Sequence, residues 1–151
     1  MLVKDRMKRD PVTVKKDDSF RYALKLIRKE GIKHLPVLDG RRVVGIVTDR
    51  DLRHHLFDAR VLKEIGTTAV DILLTAVVVR DVMSSPARSV WAGDELVDAA
   101  RIMLEDKVGS LPVVEGGRVV GIITETDLLR EICRADQSRS PEVAEIVVSY
   151  P

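Results

Sequence analysis

Gly45-Ile46-Val47-Thr48-Asp49-Arg50-Asp51-Leu52 returns 76 residues later as Gly121-Ile122-Ile123-Thr124-Glu125-Thr126-Asp127-Leu128. The offset holds without a gap from Val3/Val79 to Leu52/Leu128, and 18 of those 50 aligned pairs are identical. A duplication this regular implies two copies of one folding unit, packed as a pseudo-symmetric pair. Clefts at the interface of such a pair are frequent ligand sites. A unit of about 50 residues leaves much apolar surface uncovered when alone. The two copies are therefore expected to bury their sheets against each other.

Each copy reads as strand, helix, strand, strand, helix. Pro11-Val12-Thr13-Val14 is a short strand, and Asp17-Asp18-Ser19 offers helix N-caps. Phe20, Ala23, Leu24 and Ile27 follow at the spacing of one helical face, and Gly31 suits the helix stop. Leu35 to Leu38 and Arg42 to Thr48 form a hairpin around Asp39-Gly40. Asp49 to Leu56 closes the copy as a short helix. The second copy repeats this order: Ser89-Val90, a cap at Asp94, and a stripe of Leu96, Ala99, Ala100 and Met103. Its hairpin turns at Gly116-Gly117, and its last helix covers Thr126 to Ile132. Lys107 stands where Gly31 stood, so this copy's first helix is expected to end differently. Between the copies, Val70 to Leu74 reads as helix and Ala76 to Val79 as extended. The sequence divides into a first unit (1–56), a linker (57–76), a second unit (77–133) and a C-terminal tail (134–151).

The core must be aliphatic, because 45% of the 151 residues are hydrophobic and only 3% are aromatic. So few aromatics argue against a stacking platform for single-stranded nucleic acid. Cys133 is the one cysteine, which excludes an internal disulfide and fits a reducing compartment. It follows the apolar pattern of Leu128, Leu129 and Ile132 and is expected to be buried. The N-terminus runs straight into charge and lacks a signal peptide's apolar stretch, and no uncharged run reaches the ~18 residues of a membrane span. A soluble, cytoplasmic protein is expected. The net charge of +1 divides into +7 on residues 1–56 and −6 on 57–151. A basic half attracts anions, although a solvated surface accounts for most such residues. There is no phosphate-binding G-x-x-x-x-G-K-[ST], no G-x-G-x-x-G and no G-x-S-x-G. No nucleophile has a plausible base and no metal-ligand spacing is present, so neither an enzyme nor a metal site is expected.

The order of elements, with Leu35-Pro36-Val37 and Leu111-Pro112-Val113 in the second strands and G-I-[VI]-T-x-x-D-L leaving the third, resembles the CBS domain. Two in tandem resemble a Bateman module, and Asp5-Arg6-Met7 and Asp81-Val82-Met83 match the lead-in to each domain. The resemblance covers roughly residues 1–56 and 77–133. The chain looks like CBS-pair proteins grouped with acetoin-utilisation proteins or named after the IMP dehydrogenase insert. It implies an α+β fold (mixed α/β) of two β-α-β-β-α repeats in a pseudo-two-fold pair.

It also implies a regulatory module that holds an adenine nucleotide or S-adenosylmethionine between the repeats, requires no cofactor, dimerises and signals to an effector protein. By resemblance, Asp51 and Asp127 accept hydrogen bonds from ribose hydroxyls, and Thr48 and Thr124 face phosphate or ribose. The same resemblance implies that Thr13-Val14, Ser89-Val90, His34-Leu35-Pro36 and Ser110-Leu111-Pro112 lie around the base pocket. From spacing alone, Thr48-x-x-Asp51 and Thr124-x-x-Asp127 read equally as helix caps, and one residue can serve both purposes. The copies differ in charge: Lys33, His34 and Arg50 have Gly109, Ser110 and Thr126 as counterparts. Two sites that differ in affinity or in nucleotide charge state are expected. A structural module with empty clefts is the competing reading, and nucleic-acid binding through the basic half is disfavoured by the near-neutral total charge.

Overall fold

The computed structural model describes residues 1–56, 74–85 and 87–135. The expected helix at Val70 to Leu74 falls almost wholly outside these residues, as does most of the tail. In the first repeat, β2 (Val14–Lys15), α1 (Phe20–Glu30), β3 (His34–Asp39), β4 (Arg42–Thr48) and α2 (Asp49–Leu56) follow in order. In the second, β5 (Val90–Trp91), α4 (Leu96–Asp106), β6 (Ser110–Glu115), β7 (Arg118–Thr124) and α5 (Glu125–Ala135) repeat them. Two lead-ins complete the set. One is a 3-10 turn at Val3–Asp5 followed by β1 (Lys8–Arg9), and the other is a single helical turn, α3 (Val79–Val82). Of the strand expected over Pro11 to Val14 only Val14 lies in β2, and of the segment expected to be extended Ala76 is helical and Val79 begins α3.

The strands make two sheets, one ordered β1-β7-β6-β5 and the other β2-β3-β4. In each hairpin, a residue before the repeated glycine is left unpaired. Val37 faces Gly45 while Leu38 faces Val43, and Val113 faces Gly121 while Val114 faces Val119. This bulge bends the third strand next to the glycine.

The lead-ins are exchanged. Lys8 pairs with Ile122 of the second repeat, and Ser84 bridges Ile46 of the first. The Val3 amide donates to the Asp94 carbonyl at 2.9 Å, and the Val79 amide to the Asp18 carbonyl at 2.9 Å. Leu96 N–H donates to the Met1 carbonyl at 2.9 Å, and Phe20 N–H to the Val77 carbonyl at 2.8 Å. Each contact and its partner differ by the repeat offset, which is the signature of pseudo-two-fold packing.

Two separate cores result. Val14, Phe20, Ala23, Ile27, Leu35, Val37, Val47 and Leu52 bury Val79 from the second lead-in. Val90, Ala92, Ala99, Met103, Leu111, Val113 and Ile123 bury Val3 from the first, with Met7 packed against them. The copies were expected to cover each other sheet on sheet. The strands β4 and β7 do touch, but what closes each core is the other repeat's lead-in.

Three further expectations change. Helix α4 begins after Glu95 rather than Asp94, because the Asp94 carboxylate accepts the Trp91 amide at 2.7 Å and is committed to the preceding turn. In the first repeat the cap is Ser19, whose hydroxyl accepts the Tyr22 amide at 3.2 Å. Helix α4 ends like α1 after all: Lys107 adopts the left-handed conformation (φ 54°) that Gly31 adopts (φ 62°). Cys133 is exposed, not buried. Helix α5 buries none of its residues, and Leu129 and Ile132 are 61% and 66% exposed. No described helix is long and apolar enough to cross a membrane.

Candidate functional site

The chemistry gathers where the third strand of each repeat turns into its last helix. The amide and hydroxyl of Thr48 both donate to Asp51 Oδ2, at 2.8 and 2.7 Å, and the Asp51 amide donates back to Thr48 Oγ1 at 3.1 Å. Thr124 and Asp127 repeat this at 3.0, 2.6 and 3.3 Å. Each is a reciprocal capping box, so the two side chains fix each other and the helix start. The junction is also tied to the hairpin, since Asp49 N–H donates to the Lys33 carbonyl and Glu125 N–H to the Gly109 carbonyl, at 2.9 and 3.0 Å. The second oxygen of each carboxylate differs between copies. Asp51 Oδ1 has no partner among the described residues, whereas Asp127 Oδ1 lies 3.4 Å from Arg130 Nη1.

The first junction opens on a cavity of about 840 Å³ between the repeats. Its walls bring together Lys33, His34, Thr48, Arg50 and Asp51 of the first repeat with Gly109, Ser110 and Leu111 of the second. Ser84 and Ala87, from the second lead-in, close one side. His34 and Glu125 meet beside Gly109, where a Cβ would stand 3.4 Å from both His34 Nε2 and Glu125 Oε2. Burial, above all, holds the His34 imidazole below its usual pKa, and Lys33 acts in the same direction. The carboxylates of Glu125 and Asp51 oppose that shift.

Not every residue expected at a site lies on this cleft. Thr13 lines a separate hollow of about 340 Å³ with Asp10, Arg41 and Arg118. Leu35, Pro36, Val14, Val90 and Pro112 are buried, and Ser89 is exposed just before β5. Thr124, Thr126 and Asp127 sit at the second junction. The cleft also holds residues that sequence reasoning did not place there. These include Asp49, Asp106, Lys107 and Arg88, the last paired with Asp106 at 2.9 Å. Lys107 carried a visible signal in its departure from Gly31, although that departure spoke only of the helix end.

The family model of the CBS domain matches residues 3–58 and 79–134, and the chain belongs to the CBS-domain family as a tandem pair. Among curated relatives, it is 36% identical over 121 residues to an inosine-5′-monophosphate dehydrogenase of Korarchaeum cryptofilum. The match takes in 80% of this chain but spans only 22% of that enzyme's length. The CBS domain pair of protein MJ0100, solved in complex with 5′-methylthioadenosine and S-adenosyl-L-methionine, superposes with a TM-score of 0.75 at 25% identity. That likeness covers 90% of this chain and 98% of that one. CBSX2 in complex with AMP superposes with a TM-score of 0.71 at 30% identity, with the same two coverages of 90% and 98%.

Proposed function

We propose that this CBS pair is a non-catalytic sensor of an adenosyl ligand, which binds at the Thr48/Asp51 junction and at its Thr124/Asp127 counterpart. The observation that carries this reading is the rigid Thr–Asp box opening on a cleft built by both repeats. The cavity of about 840 Å³ falls in the ordinary range for small-molecule sites. A carboxylate with a free oxygen accepts from the vicinal hydroxyls of a ribose, and the helix start supplies N–H donors that favour an anion. The AMP and S-adenosylmethionine complexes of similar pairs support the ligand class. Ligand that bridges the repeats favours one packing of the pair over another, and a partner protein reads the difference. The uncovered Leu129 and Ile132 on α5 support association of two copies.

The test is thermal unfolding with and without AMP, ATP or S-adenosylmethionine. A ligand present at a hundred times its dissociation constant stabilises by about 2.7 kcal/mol. Asp51→Ala and Asp127→Ala are each expected to abolish part of that shift. The rival reading, a structural module, draws on the same hydrogen bonds, because the Thr48–Asp51 box is complete as a cap. On that reading the alanine variants lower the ligand-free melting temperature through the lost cap, about 1 kcal/mol, and no adenosyl compound raises it.

A further inference from the structure

The two junctions are alike in their Thr–Asp boxes but not in the charge around them. In the first cleft two of the three lining carboxylates are paired with cations inside the protein. Asp49 pairs with Arg53 at 2.9 Å and Asp106 with Arg88 at 2.9 Å, while Asp51 is bonded only to the neutral Thr48 and the Glu125 carboxylate stands beside Gly109 and His34. Three cations on the same walls, Lys33, Arg50 and Lys107, form no ion pair among the described residues. The uncompensated charge of this cleft is therefore positive.

The pseudo-two-fold relation shows which of these cations distinguish the clefts. Lys33 and its counterpart Gly109 both line the first cleft, so Lys33 lies at the junction of the two halves. Arg50 and Lys107 have Thr126 and Gly31 as counterparts, so neither charge is repeated at the second junction. The backbone at Lys107 adds an independent sign. Its φ of 54° is a conformation that glycine takes easily and lysine rarely. Gly31 fills the same geometry in the first repeat. A lysine there puts a charge on the cleft wall at the expense of the residue best suited to the turn.

We infer that the first cleft selects adenine nucleotides carrying a di- or triphosphate, with Arg50 from one repeat and Lys107 from the other receiving the phosphate chain across the interface. The second cleft does not distinguish phosphate number. This rests on the adenosyl-ligand reading above. The geometry is a two-sided clamp, since a polyphosphate that touches both residues ties the first repeat to the second, whereas adenosine or a monophosphate leaves the distal side unbridged.

The experiment is calorimetric titration of the full chain with adenosine, AMP and ATP, for the wild type, Arg50→Thr and Lys107→Gly. Each substitution installs the residue that the other repeat carries. Each is expected to weaken ATP binding about tenfold, as loss of a charged hydrogen bond does, and to leave adenosine binding unchanged. Lys107→Gly should not lower the melting temperature, so a weaker ATP signal cannot be ascribed to misfolding. If ATP affinity survives both substitutions, or adenosine and ATP weaken equally, the clamp is overturned while the adenosyl reading stands. If none of the three compounds binds the wild type, the clamp falls, and if S-adenosylmethionine also fails to bind, the adenosyl reading falls with it.

Discussion

A methyl group placed on Gly45 would come within 2.5 Å of Met83 Sδ and 2.8 Å of the Ser84 carbonyl oxygen. On Gly121 it would meet Met7 Sδ at 2.5 Å and the Lys8 carbonyl oxygen at 3.1 Å. The glycine of each G-I-[VI]-T is thus required by the exchanged lead-in that lies across it. A thioether can swing aside, but a backbone carbonyl in a ladder cannot. Gly45→Ala is expected to destabilise by about 1–3 kcal/mol, and Gly121→Ala by less, as read from urea midpoints. Equal costs would mean that the lead-ins give way equally. His34 makes a second prediction at this scale. Its imidazole sits below the ordinary 6.5, chiefly through burial, with Lys33, Asp51 and Glu125 as its charged neighbours. Below that value the unfolded chain binds the proton more readily than the folded one, so stability falls as pH drops, and above it the effect vanishes. Wild type should therefore lose more stability between about pH 7.5 and 5.5 than His34→Ser, which carries the residue found at the counterpart Ser110. An equal loss would place the dependence on other groups.

At the scale of elements, what the sequence made legible was periodicity, and what it hid was how side chains divide their work. Phe20, Ala23 and Ile27 announce α1, and the helix buries those three residues. Asp94 looks like a cap because aspartate caps helices, yet its carboxylate closes the strand-to-helix turn, as Asp18 does by accepting the Lys15 amide at 2.8 Å. Local spacing does not separate those two uses. The same ambiguity surrounds Thr48-x-x-Asp51. The spacing was legible and the capping box is present, but only the cleft beside it bears on ligand binding. Lys107 shows the opposite case. The missing glycine suggested another helix ending, while the backbone kept the left-handed geometry. Cys133 lies on the apolar stripe of α5, and an apolar stripe says which face seeks cover without saying what covers it. Among the described residues nothing does so to the point of burial.

At the scale of the molecule, the duplication implied two units, but the exchange of lead-ins makes neither one self-sufficient. Sequence offers little sign of this, because Val3 and Val79 sit at the same place in each copy whether they pack at home or across the pair. The first core includes Val79 and the second Val3, both fully buried. Loosening one core should therefore release the strand and turn that close the other, and the chain should unfold in one step. The single tryptophan allows a direct check, since Trp91 lies on β5 of the second repeat. Leu35 is fully buried in the first core, so Leu35→Ala should cost about 2–5 kcal/mol. Because the cores are coupled, Trp91 fluorescence should report the same lowered urea midpoint as backbone circular dichroism. A Trp91 transition that stays at its wild-type midpoint while the dichroism moves would show that the halves unfold separately. In that case the exchanged segments would be surface straps. A ligand in the cleft would then have to act by pulling the two halves together, not by shifting one cooperative body between packings.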